Sequence, residues 1–183
     1  AQKHSIKIGT IVDLIHYRIA NERTVSRMES HMLTTKYGEF MVHKYQDSIS
    51  GSIHLAYVKG KFGVDEPVLV RVHIPNTLRD ICETHNKGRT SWSFNGALEQ
   101  IANAGKGVAV LLSGDDYGQT LEQNFLSTFA KQSDSTLTNR SGNDLTIGTG
   151  SQILRDIGVG KMRLLGYPAR FNAISGFDLE VVE

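Results

Sequence analysis

The chain has 183 residues, with 20 Lys+Arg against 19 Asp+Glu and a single cysteine, Cys82. That length suits one domain, or one domain with a short extension, and suffices for a proper core. An apolar share of 39% with 21% charged residues is ordinary for a globular protein. A formal charge of +1 gives no electrostatic reason to expect nucleic-acid or polyanion binding. No apolar run nears the roughly 20 residues of a membrane span, and none has a signal-peptide pattern. One cysteine excludes an intramolecular disulfide and any cysteine-rich zinc site, which predicts a reduced, cytoplasmic protein.

Ile8, Ile11, Val12, Ile15 and Ile19 recur at helical spacing, with Asp13, His16, Arg18 and Glu22 largely opposite. This predicts an amphipathic helix that either packs on its own domain or joins it to another upstream. The period then changes to two over residues 24–33, 39–45, 52–59 and 68–74, predicting four mostly antiparallel strands. The last of these, which includes Val68, Val70 and Val72, is the most deeply buried candidate. Ser93 and Gly105 bracket a helix with Phe94, Ala97, Leu98 and Ile101 on one face. The apolar run 108–112 predicts a strand buried on both faces. A helix is expected over 121–130, a Ser/Thr/Asn-rich loop over 131–143 and a helix over 147–157 stopped by Gly158. Short strands at 161–165 and 179–182 close the chain. Hairpins followed by alternating helix and strand make the fold class α+β, or mixed α/β.

Seven histidines invite a metal hypothesis, yet none forms a helical pair with metal-ligand spacing. His73, Cys82 and His85 share one polar stretch, but match no zinc pattern. His43 and His54 read as surface or half-buried strand residues, Trp92 and Phe94 as core anchors, and Asp156 and Glu99 as solvated helix residues. Asp115 and Asp116 follow the buried run 108–112, where α/β sheets commonly bind ligands. Two adjacent carboxylates repel phosphate, so this segment suits a cation, a base or simply an acidic turn. Gly148 and Gly150, read as a helix start, would expose backbone N–H groups to an anion.

Several stretches together carry a family likeness. They are Tyr37-Gly38-Glu39-Phe40, the segment 54–60, Pro67-Val68-Leu69-Val70-Arg71-Val72-His73, the helix 97–107, and the closing segments 150–159, 162–165 and 179–183. On these the chain resembles the GTP cyclohydrolase II domain of riboflavin biosynthesis over residues 23–183. The stretch from Lys7 to Arg18 resembles the junction that follows a dihydroxybutanone-phosphate synthase domain in fused enzymes. The resemblance therefore implies a linker helix at 1–22, a GTP cyclohydrolase II-like fold at 23–183 and an excised C-terminal half.

In that family, a zinc held by three cysteines activates water for opening of the guanine imidazole ring. Here Asn76 stands at the first ligand position and Gly88-Arg89-Thr90 at the later pair. Neutral side chains there cannot replace thiolates. Asp115-Asp116-Tyr117 stands where the family has a nucleotide-binding Glu-Gly-Arg, and Ser141-Gly142-Asn143 falls near its acid/base motif. Arg71, Val72 and His73 remain of the pocket, and Arg170 keeps one charge of a late motif. The resemblance thus implies a degenerate domain without metal, cofactor or zinc-dependent hydrolysis. Its ligand-binding positions would be Arg71, Val72, His73, Asp115, Asp116 and Arg170. Its implied role is homodimerisation, support of an upstream dihydroxybutanone-phosphate synthase domain, or binding of a nucleotide effector. The alternatives are an active GTP cyclohydrolase whose altered metal site draws on His73, Cys82, His85 and Asp115 or Asp116, and a non-catalytic sensor of nucleotides or flavin-pathway compounds.

Overall fold

The computed structural model describes residue 17 and residues 22–84, 92–113, 140–166 and 178–183, with 140–146 described by their backbone alone. Among the described residues seven strands form one mixed sheet: β1 (Val25–Thr35), β2 (Gly38–Asp47), β3 (Ile53–Lys59), β4 (Val68–His73), β5 (Gly107–Leu111), β6 (Lys161–Leu164) and β7 (Glu180–Val181). Their spatial order is β1-β2-β3-β5-β4-β6-β7. Helices α1 (Thr77–Asp80), α2 (Phe94–Ala104) and α3 (Arg140–Ile157) accompany them among the described residues. This is a mixed α/β architecture, as the sequence pattern requires.

The early strands form a meander because local turn chemistry closes each hairpin. Asp47 accepts the N–H groups of Ile49 and Ser50 on its carboxylate, and Gly51 follows with φ at +75°. That aspartate turn brings β3 back antiparallel to β2. The expected four-strand antiparallel set ends there. β4 pairs in parallel with β5 and β6, while β5 inserts between β3 and β4. Period-two spacing reports which residues share a face, and it is silent on which strand lies alongside.

Alternation along β4 and β5 divides the core into two layers. Val68, Val70, Val108 and Val110 face Ile153, Leu154 and Met162. Ala109 faces Phe40, Val42, Leu98 and Ile101, and Leu69 packs against this second group. The segment Gly107–Leu111 is therefore covered on both faces, as its continuous apolar run predicts. Ser93 caps α2 by accepting the Gly96 N–H at 3.0 Å, and Gly105 ends it at φ +74°. Helix α3 begins at Arg140, within the stretch expected to be a loop. Gly148 and Gly150 consequently lie inside a helix and are not its start, so their N–H groups belong to the helical ladder. The expected helix over 121–130 falls outside the described residues, as does the one over 1–22 apart from Tyr17, which is helical, and Glu22.

Candidate functional site

The C-terminal end of β4 gathers a cluster of ionisable side chains, Arg71, His73, Arg79 and Asp80. Period-two alternation sends Arg71 and His73 to the α2 side of the sheet, with Leu69. Val72 points to the other side, where a Cβ on Gly150 of α3 would lie 3.0 Å from its Cγ1. The structure thus brings Arg71 and His73 together and separates Val72 from them. Asp115, Asp116 and Arg170 lie outside the described residues.

His73 is fully buried against the Phe94 ring, with centroids 5.4 Å apart. Its Nε2 lies 2.8 Å from Asp80 Oδ2, and its Nδ1 accepts from Arg71 Nε at 3.3 Å. An imidazole that accepts at Nδ1 carries its proton on Nε2, so the ring is neutral and donates to Asp80. Burial lowers the His73 pKa first, and the neighbouring charges of Arg79 and Arg71 lower it further against the pull of Asp80. The Arg79 guanidinium, 3.0 Å from the same Nε2, is then a second donor aimed at the shared Asp80 oxygen.

Asp80 is the hub of this network. Besides His73 it accepts from the N–H groups of Asn76 at 2.7 Å and Phe94 at 3.1 Å, and from Arg79 Nε at 3.2 Å. Burial alone would raise its pKa, but donors from His73, Arg79 and the Asn76 backbone hold the carboxyl far below the usual carboxylate range. Arg71 donates to the carbonyls of Leu165 at 2.8 Å and Trp92 at 3.4 Å. Burial, reinforced by the Arg79 charge, brings its pKa down to about 10, which leaves it charged at neutral pH. The cluster therefore ties β4, α1, the start of α2 and the end of β6 to one another.

Asn76 caps α1 by accepting the Arg79 N–H at 3.0 Å, so the residue standing at the implied first thiolate position serves the backbone instead. Cys82 is exposed, and His85 lies outside the described residues. Among the described residues no group of three His, Cys, Asp or Glu side chains could hold a metal ion. His54 is buried and accepts the Ser113 N–H at 3.0 Å, rather than lying at the surface.

Asp80 and Arg79 carry the site, yet sequence reasoning passed over both as part of a polar irregular stretch. Their available signal was an Asn four residues before an Asp, immediately after the alternating Arg71 and His73. A second network was missed through Asp156, which had been expected to be solvated. Asp156 accepts from Tyr45 Oη at 2.8 Å and Arg27 Nε at 2.9 Å, and pairs with Arg23. One turn earlier, Gln152 Oε1 accepts the N–H groups of Thr24 at 2.9 Å and Val25 at 3.3 Å.

The GTP cyclohydrolase II family pattern matches residues 26–183, and the chain belongs to that family. The chain is 49% identical, over its whole length and 49% of the relative's, to a protein of Pseudomonas aeruginosa named 3,4-dihydroxy-2-butanone 4-phosphate synthase. It is 37% identical to the riboflavin biosynthesis protein RibBA of Aquifex aeolicus, covering all of this chain and 47% of that protein. A crystal structure of RibBX from A. baumannii, described as a two-domain 3,4-dihydroxy-2-butanone 4-phosphate synthase, matches with a TM-score of 0.64 at 37% identity. That match covers 100% of this chain and 47% of the solved one. The chain thus spans about half the length of the curated relatives it matches.

These findings correct the functional expectation. Relatives aligned with the whole chain bear the synthase's own name, so the reading as a degenerate GTP cyclohydrolase serving a separate upstream synthase is withdrawn. The active GTP cyclohydrolase and ligand-sensor alternatives fall with the same finding. No described helix is long and apolar enough to cross a membrane.

Proposed function

We propose that this chain is part of a 3,4-dihydroxy-2-butanone 4-phosphate synthase of riboflavin biosynthesis. The observation that carries this reading is the 49% identity, along the entire chain, to a protein of that name. The β4 site is compatible with it. The imidazole of His73 and the carboxylate of Asp80 are both committed to neighbours, which makes this cluster a framework for the sheet end rather than a metal-dependent hydrolase centre. The test is to purify the protein that carries this chain and follow formation of 3,4-dihydroxy-2-butanone 4-phosphate by mass spectrometry. Restored growth of a riboflavin auxotroph lacking that synthase is the expected companion result. A protein that forms no such product and leaves the auxotroph dependent on riboflavin would overturn the reading.

A further inference from the structure

Tyr45, Arg27 and Asp156 mark the face of the sheet that α3 approaches, opposite the face that carries the β4 cluster. Ser30 of β1 and His43 of β2 share that face and stand directly opposite each other in the ladder. Ser30 is exposed and His43 is half-buried. The serine Oγ lies 2.6 Å from His43 Nδ1, a short hydrogen bond. With the ring proton on Nε2, Oγ donates to Nδ1, and the pair is a nucleophile joined to a base.

The strands hold this pair in place. Direct neighbours across a ladder have Cβ atoms about 4.5–5.5 Å apart, so the two side chains meet without distortion of the backbone. The His43 ring stands edge-on to Tyr45, two residues along the same strand, with centroids 6.5 Å apart. Arg27, three positions before Ser30, would point to the opposite face of a regular strand. The ladder shifts between Arg27 and Glu29, and the extra residue brings Arg27 to the face of Ser30, where it bonds Tyr45 and Asp156. The irregularity thus adds a cation to the face that carries the serine–histidine pair.

Electrostatics favour the base form of the ring. Among the described residues, Arg27 of β1, Tyr45 of its own strand and Asp156 of α3 face His43. Burial lowers its pKa first and the Arg27 charge lowers it further, with Asp156 opposing them. The imidazole is therefore neutral near pH ~7 and ready to take a proton. The Arg27 charge would also favour the negative charge that grows on the oxygen of an attacked carbonyl. Ser26 supplies an internal reference, because it is exposed on the same strand but stands opposite Gln46, which is no base.

We propose that Ser30 is a nucleophile activated by His43 and accepts the acyl group of activated esters. Oγ bonds to the acyl carbon, and the bond from that carbon to the leaving oxygen breaks. The Oγ proton passes through Nδ1 to the leaving group, and an acyl ester remains on Ser30. The probe is p-nitrophenyl acetate added to the full chain, with acetylation of each serine followed by peptide mass spectrometry. Ser30 should be acetylated at least about tenfold faster than Ser26, a floor below what a positioned general base ordinarily supplies. His43→Gln keeps a hydrogen-bonding side chain but no base, and should return Ser30 to the Ser26 rate. The unaltered chain gives a second readout that no folding defect imitates. Its Ser30 rate should be level near neutral pH and fall toward acid, with a midpoint below about 6.5. Acetylation of Ser30 no faster than Ser26, an undiminished rate in His43→Gln, or a neutral-pH rate retained in full at about pH 5 would overturn the proposal. These readouts are independent of synthase activity, so the two proposals fail separately.

Discussion

Asp80 accepts hydrogen bonds from β4, from α1 and from the first N–H of α2, so its removal orphans several donors at once. Breaking a buried ion pair by deleting one partner typically costs about 3–5 kcal/mol. Because the Asp80 side chain keeps 14% exposure, Asp80→Ala should sit near the lower end, about 3 kcal/mol by urea unfolding. Acid should weaken the same network through two groups. The folded state holds His73 below its ordinary pKa, so the unfolded chain takes up protons that the folded chain refuses. That contribution is present above the ordinary imidazole pKa and fades as pH falls below about 6.5. The lowered Asp80 pKa adds a further loss as pH falls below about 4. Melting temperatures measured between about pH 8 and about pH 5, either side of the ordinary imidazole pKa, should decline toward acid, and His73→Gln should flatten that decline.

At the scale of elements, α3 acts as the strap for the start of the sheet. Gln152 holds the N–H groups of Thr24 and Val25, and one turn later Asp156 holds Arg27 and Tyr45. Each backbone N–H bond of this kind contributes about 1 kcal/mol net. Gln152→Ala should therefore speed hydrogen exchange at Thr24 and Val25, measured residue by residue, while Val108 and Val110 in the covered strand keep their protection. Unchanged exchange at Thr24 and Val25 would show that β1 holds its own start. A tighter constraint lies where β4 meets β5. Gly107 has φ at +152°, and a Cβ there would come within 2.6 Å of the Leu69 carbonyl oxygen. Gly107→Ala must push apart two backbones paired in register at that point, so it should cost more than about 3 kcal/mol of unfolding free energy.

Over the whole molecule, the sheet carries one apolar layer on each face, and β5 contributes to both. Ile101 is fully buried in the α2 layer, and Ile101→Ala should cost about 2–5 kcal/mol. Since the layers share strands, the loss should lower both together. The fluorescence of Trp92, the chain's single tryptophan, and the far-UV circular dichroism should follow one urea transition in wild type and variant alike. Two separated transitions would show that the layers unfold independently. The sequence by itself determined the elements whose signals are local. The meander strands were legible from period two, α2 from its Ser93 cap, apolar face and terminal Gly105, and β5 from a run too apolar to face water. Lateral strand order was not legible, because alternation fixes a face but names no neighbour, so nothing in residues 68–74 announced that β4 would pair in parallel with β5 and β6. The candidate site divided in the same way. Arg71 and His73 were found, but Asp80 and Arg79 entered only when a short helix folded back over the end of β4. Asp156 was expected to face solvent because a carboxylate on a helix ordinarily does. Only the tertiary structure brought Tyr45 and Arg27 to it, from residues more than a hundred positions earlier in the chain. Local stereochemistry acts over a few residues and is written in the order of the chain, whereas the partners of a buried charge are chosen by packing across the sheet.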